Sequence, residues 1–252
     1  MEYIEEIGIK MQRNNKKFSK AGIILGAFFI LVGAIGVYLN TGYEATEAAQ
    51  IAMISDDDVT VEQIDGAVVF MPEEPVDGMI FYPGGKVAHD AYAPLMKAYA
   101  EEGMACILLE MPFDLAVFDM NAADDYRYLY PEIESWYLGG HSLGGAMAAS
   151  YLEGHTEEYE GMILCAAYST VDYSTSDLKI VSMYGSNDAV LNAEKYEECR
   201  ANLSEDVSEL VIEGGNHAFF GTYGLQEGDG TATIANDSQI ATAVDYTIKS
   251  IR

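Results

Sequence analysis

The chain has 252 residues, half of them hydrophobic, and a formal charge of −28 at pH 7. That length supports one sizeable α/β domain plus an additional segment. The acidic excess excludes nucleic acid as a partner, and tight docking onto anionic lipid, because both carry charge of the same sign.

Residues 1–20 are a basic N-terminus with Lys10, Arg13, Lys16, Lys17 and Lys20 against three glutamates. That leaves 38 acidic and 8 basic side chains in the remainder, a formal charge near −30. Residues 21–43 contain no charged side chain, and Ala21 through Leu39 are almost all apolar. Nineteen residues at about 1.5 Å each come close to the roughly 30 Å hydrocarbon core of a bilayer. A single-pass transmembrane anchor is therefore expected over 21–43. By the positive-inside rule its N-terminus lies in the cytoplasm and residues 44–252 lie outside. A cleaved signal peptide is the rival, weakened by the long apolar run and the lack of a clean Ala-x-Ala site after it. A buried core helix is the other alternative. Gly22 and Gly26 form a G-x-x-x-G pair, a spacing that can pack two anchors together.

Residues 44–58 read as an acidic linker, and 59–252 as the folded domain. Strands are expected at 59–63 and 67–71, joined as a hairpin through Asp65-Gly66. Further strands are expected at 78–82, 105–110, 135–139, 161–167, 179–184 and 208–213. Helices are expected at 92–102, 121–130, 143–153, 193–202 and 237–251. Such alternation implies an α/β fold with a mainly parallel sheet covered on both faces. Cys106 and Cys165 fall inside apolar strands, where free cysteine acts as a small hydrophobe, and Cys199 leaves an odd number. No C-x-x-C pair or His/Cys cluster calls for a metal, and no motif calls for a cofactor.

Gly140-His141-Ser142-Leu143-Gly144 fits G-x-S-x-G, the strand-to-helix turn that exposes a nucleophilic serine. An apolar strand precedes it and a helix rich in small residues follows. A glycine turn with an idle serine is the bland alternative. A serine needs a base and an orienting carboxylate. Of the four histidines, His141 is adjacent to the serine and expected to point away from it. His155 lies in an acidic loop, and His89 opens a helix. His217 follows a strand through Gly214-Gly215-Asn216, where a base can reach over the end of a sheet. Asp188 follows another strand through Gly185-Ser186-Asn187, whereas its competitors Asp172 and Asp177 precede that strand. The expected catalytic residues are Ser142, Asp188 and His217.

In these motifs, and in Phe81-Tyr82-Pro83-Gly84-Gly85-Lys86, the chain resembles the α/β-hydrolase superfamily. It is most similar to the small, lidless branch of dienelactone hydrolases and simple esterases. The resemblance implies an oxyanion hole made by the backbone N–H of Leu143 and that of either Gly84 or Gly85. Many relatives have His-Gly where this chain has Tyr82-Pro83, and a proline has no N–H to donate. Lipases and many esterases of this fold insert a cap between the strands at 161–167 and 179–184, where this chain has about a dozen residues. An open site is therefore expected, with 111–118 and 219–224 as segments that could line it.

The resulting expectation is a membrane-anchored serine hydrolase acting outside the cytoplasm on a small-molecule carboxylic ester. An acyltransferase, thioesterase or amidase on cell-envelope substrates uses the same triad. A non-catalytic surface binding module on a hydrolase scaffold is the reading from another class.

Overall fold

The computed structural model describes residues 41–124 and 126–252, together with Phe28 and Gly36. The expected basic N-terminus and nearly all of the expected anchor lie outside the described residues. Among those described, no helix is long and apolar enough to cross a membrane.

Eight strands form one sheet: β1 (Val59–Ile64), β2 (Ala67–Pro72), β3 (Asp77–Tyr82), β4 (Met104–Leu109), β5 (Trp136–His141), β6 (Gly161–Cys165), β7 (Lys179–Gly185) and β8 (Ser208–Ile212). Their order is β1-β2-β4-β3-β5-β6-β7-β8. The β1–β2 and β2–β4 pairings are antiparallel and the other five are parallel. β3, β4, β5 and β6 are buried along their whole length, which is why they read as continuous apolar runs. The edge strands β1 and β8 are only partly buried, with one buried residue each, Val59 and Ile212.

Within Gly42–Arg252 the α-helices are α1 (Glu47–Ala52), α2 (Ala93–Glu101), α3 (Leu143–Leu152), α4 (Ala193–Cys199) and α5 (Asn236–Ile251). Because side chains alternate across a strand, each central strand feeds two cores. Met79 and Phe81 of β3 pack with Leu95, Met96 and Tyr99 of α2 and Val244 of α5. Ile80 and Tyr82 face the other side and pack with Ala148 and Leu152 of α3. A Tyr99–Thr247 hydroxyl hydrogen bond of 2.9 Å joins α2 to α5 within the first core.

All eight strands lie within two residues of the sequence reading. Two other readings need correction. Residues 44–58 are not a linker, since Gly42–Arg252 form one compact unit. Within it Thr46 caps α1, Ala49 is buried, and the Thr46 N–H donates to the Thr222 carbonyl at 3.0 Å. Lys97 neutralises Asp56 at 2.6 Å and holds its carboxyl down at about 2. The acidic composition suggested a solvated tether, but these tertiary contacts fold it, and residues 42–43 leave the expected anchor for the domain.

The expected helix at 121–130 is replaced by turns and a short 3₁₀ segment, Tyr126–Leu129. Here i→i+3 bonds from Ala122 to Asp119 and from Asp124 to Asn121 set the backbone. Distant groups take the side chains, with Asp124 accepting from the Tyr151 hydroxyl and Tyr126 donating to the Asp65 carbonyl.

Strand packing at Gly161 leaves no room for a side chain. A Cβ there would lie 1.9 Å from the Lys179 carbonyl oxygen, whereas one at Gly154 meets nothing within 4 Å. Gly161→Ala is expected to destabilise the domain by about 1–3 kcal/mol or more, and Gly154→Ala to stay within about 0.5 kcal/mol of wild type or improve on it. Urea unfolding of the two variants would check this, and equal midpoints would contradict the packing at the β6–β7 pair.

Candidate active site

β5 ends at His141 and α3 begins at Leu143, so Ser142 occupies a one-residue turn between strand and helix. Its φ of 52° and ψ of −122° are rarely adopted by non-glycine residues and cost on the order of 1–3 kcal/mol. The flanking glycines make that turn sterically feasible. A Cβ on Gly144 would lie 2.2 Å from the Pro83 carbonyl oxygen, and one on Gly140 would lie 2.6 Å from the Gly145 nitrogen. The Ser142 N–H donates to the Cys165 carbonyl at 3.0 Å, tying the turn to β6. Among the described residues the Ser142 hydroxyl forms no hydrogen bond.

Asp188 follows β7 and His217 follows β8, and the two loops touch. A Cβ on Gly185 would sit 2.3 Å from the Gly215 carbonyl carbon, so glycine is required for that approach. His217 Nδ1 and Asp188 Oδ2 are 2.8 Å apart, with both side chains almost fully buried. Asp188 Oδ1 accepts from the N–H groups of Val190 (2.9 Å) and Leu191 (2.8 Å). An ionised carboxylate only accepts, so the proton of this pair belongs on Nδ1 and Nε2 is left as a base.

Two further residues brace the histidine loop. Gln239 of α5 accepts from the Asn216 N–H at 3.0 Å and donates to the Asn216 carbonyl at 2.8 Å. Asp229 accepts from the Ala218 N–H on one oxygen (2.9 Å) and the Ala189 N–H on the other (3.3 Å). It thereby ties the His217 loop to the Asp188 loop. The buried Gln239 amide is satisfied by the Asn216 backbone, and the Asn216 side chain donates to the Gly230 carbonyl and accepts from the Phe219 N–H, as the interior demands. Sequence reading missed them, since polar residues in loops and on helix surfaces look alike in one dimension. The Gly-Gly-Asn-His string was the only available signal.

His141 supports the neighbouring histidine. Its ring packs on that of His217, with centroids 4.5 Å apart, and is almost fully buried. Its Nδ1 lies 2.8 Å from the Tyr92 hydroxyl, which also accepts the Gly84 N–H at 3.0 Å. Burial first, and His217 second, push the His141 pKa well below 6.5 against a smaller opposing pull from the His217 backbone. Its buried Nε2 makes no well-formed hydrogen bond. The sequence reading turned this side chain away from the serine, and the chain's return through β8 brings His217 onto it.

Ser142 and His217 line one cleft of about 270 Å³ with Leu143, Ala146, Ala166, Tyr168, Val190 and Leu191. The segments 111–118 and 219–224 do not line it. Phe113, Val117 and Phe118 are exposed, while Phe220 and Tyr223 are buried in the core. Residues 166–178, between β6 and β7, hold no helix or strand. His89 and His155 are not part of the cleft, and His155 stacks on Tyr151 at the far end of α3.

A family profile described as the alpha/beta hydrolase family matches residues 78–241, about two thirds of the chain. The chain belongs to the alpha/beta hydrolase family. Solved structures share the fold at low identity. TT1662 from Thermus thermophilus is 13% identical, covering 77% of this chain and 98% of its own, with a TM-score of 0.57. Est1E from Butyrivibrio proteoclasticus is 12% identical, covering 77% and 99%, with a TM-score of 0.56. A CIB-like hydrolase from Thermoplasma acidophilum is 15% identical, covering 76% and 99%, with a TM-score of 0.52. No curated protein matches the chain. This alpha/beta hydrolase brings Ser142, Asp188 and His217 to the C-terminal ends of β5, β7 and β8, and Gly84, Gly85 and Leu143 to the neighbouring edge of the same site.

The buried His141 predicts an acid limb of stability. A histidine held neutral in the fold contributes stability that is present above its unfolded pKa of 6.5 and is lost as the pH falls below it. The slope is about 1.4 kcal/mol per pH unit until the folded pKa is reached. His141→Gln is expected to remove that slope relative to the wild type in urea unfolding from about pH 7 to about pH 5. Parallel curves for the two proteins would mean that folded His141 accepts a proton.

Proposed function

We propose that this hydrolase cleaves small carboxylic esters through a serine acyl-enzyme. The observation that carries the reading is the buried 2.8 Å Asp188–His217 contact beside a cleft that His217 shares with a strained, half-buried serine. In this scheme Ser142 Oγ attacks the ester carbonyl carbon while His217 Nε2 takes its proton. The carbon–oxygen bond to the alcohol then breaks, and the same proton goes to the leaving oxygen. Water repeats the sequence to release the acid and free Ser142. Asp188 orients the imidazole and stabilises its charged form.

For the oxyanion, the reading uses the N–H groups of Leu143 and Gly85. Leu143 opens α3, where the amide is not engaged by the helix and the helix dipole favours negative charge. The Gly84 N–H is already given to Tyr92, which separates the two glycines that sequence left equivalent. The small, mainly apolar cleft and the absence of an inserted helix over 166–178 favour a short acyl chain. The uncharged run and the basic residues before it favour a single-pass anchor ahead of Gly42, with the hydrolase domain outside the cytoplasm. The Gly22/Gly26 pair supports contact between two such anchors.

Ser142→Ala is expected to abolish both turnover of a short-chain ester and labelling by a fluorophosphonate. His217→Ala and Asp188→Asn are expected to lower kcat by about 10³–10⁴-fold or more, while His89→Ala and His155→Ala stay within about tenfold of wild type. Full turnover in Ser142→Ala, or a dead His155→Ala, would refute the scheme.

A further inference from the structure

The chain joins its folded unit on the catalytic side of the sheet. Tyr43 bridges to Val87 in parallel, donating its N–H to the Lys86 carbonyl (2.7 Å) and accepting from the Ala88 N–H (2.9 Å). Residues 86–88 continue directly from Gly84-Gly85, so the junction adjoins the proposed oxyanion donor. A Cβ at Gly42 would lie 2.9 Å from the Lys86 carbonyl oxygen and 3.5 Å from Asp114 Oδ2, which brings the segment after β4 to the same place. Only Asn40, Thr41 and Gly42 separate the end of the apolar run at Leu39 from Tyr43. Fully extended, that stretch spans less than about 15 Å.

The segment after β4 presents apolar side chains to solvent at this edge. Phe113 is 54% exposed and Phe118 55%, with Val117 and Met120 exposed beside them. The two phenylalanine rings meet edge to face, with centroids 5.8 Å apart. Phe113 and Asp114 both have left-handed backbones, with φ of 56° and 54°. Two consecutive non-glycine residues in that region hold the knuckle in a costly shape. Its fixtures are specific. The Lys86 N–H donates to the Asp114 carbonyl at 2.7 Å, and the Tyr82 hydroxyl donates to the Met120 carbonyl at 2.8 Å. Leu115, inside the same segment, approaches Gly85, with 3.5 Å between its side chain and a Cβ placed there.

We propose that this apolar knuckle, Phe113 with Val117, Phe118 and Met120, seats on the surface of the bilayer that carries residues 21–39. The catalytic cleft then opens toward that surface and takes neutral esters presented there. The proposal rests on the anchor reading given under Proposed function. The short tether and the clustered aromatic side chains commit the face to lipid. Charge selects the lipid: Asp114 and Asp119 border the knuckle within a domain near −30, so a zwitterionic surface is accepted and an anionic one repelled.

The test uses the full chain in phosphatidylcholine proteoliposomes. Single cysteines at Phe118→Cys, Val211→Cys and Ile30→Cys carry an environment-sensitive fluorophore, selective because Cys106, Cys165 and Cys199 are buried. Nitroxide lipids are expected to quench the probes at 30 and 118 and spare the one at 211, which is exposed on β8. Quenching at 30 with position 118 no different from 211 overturns the proposal and leaves the anchor standing. Quenching at 118 without 30 removes the anchor and with it the proposal as stated, and quenching at neither removes both. Shielding at 118 without quenching, together with cross-linking between Phe118→Cys copies, assigns the face to a second copy and overturns the proposal. As a functional arm, Phe118→Ser is expected to keep turnover of a water-dissolved short ester within about twofold, and to lower turnover of a short-acyl ester embedded in the vesicle by about fivefold or more. Equal loss on both substrates counts against the proposal.

Discussion

Everything at this site depends on how closely the Ser142 turn is pressed against the end of β3. Gly144 lies so near the Tyr82 and Pro83 carbonyls that even a methyl group cannot be placed there. That contact fixes where α3 begins, and therefore where the Leu143 amide points. It also sets Ser142 in its left-handed conformation, which the Cys165 carbonyl secures from the neighbouring strand. Sheet and helix burial stabilise the domain by far more than one strained residue costs, so the strain persists in a rigid setting. A looser turn would relax the serine and dissolve the geometry that the proposed chemistry needs.

The histidine and aspartate loops obey a second constraint, the need to satisfy every buried polar group. Each is short and follows a strand, yet neither is held by strand pairing alone. Asp229 bridges the two loops, and Gln239 reaches in from α5 to grip both polar groups of the Asn216 backbone. The His217 ring rests on His141, whose own position is set by Tyr92, and Tyr92 in turn occupies the Gly84 amide. One buried chain of contacts thus connects His217 with the loop proposed to hold the oxyanion. A change at Tyr92 or His141 acts on both ends of the site.

Charge and apolar surface are distributed unevenly along the molecule. The acidic excess resides beyond residue 20, while five of the thirteen basic residues precede it. Exposed aromatic side chains gather beside the chain junction at Tyr43, where the backbone is held in an uncommon shape. An apolar cluster of this kind costs solubility unless something covers it. The same local geometry that supports Gly85 also supports this cluster, through the Lys86–Asp114 hydrogen bond and the approach of Leu115 to Gly85.

The sequence by itself determined the eight strands, because buried parallel strands write continuous apolar runs and their turns are marked by glycine. It also determined the serine turn, and it singled out Asp188 and His217, each after a strand and a glycine-rich loop, which the fold brings to 2.8 Å of one another. Tertiary structure alone decided the rest. The acidic stretch 44–58 folds because partners at Lys97 and Thr222 lie far away in sequence, and 121–130 is not a helix because Asp65 and Tyr151 claim its side chains. Gly84 and Gly85 look equivalent in one dimension, and only the approach of Tyr92 separates them. His141 lies under His217 because β8 returns beside β7, a contact that no local pattern announces. Local patterning records which backbone a segment adopts; it holds no record of which distant polar group will arrive to complete it.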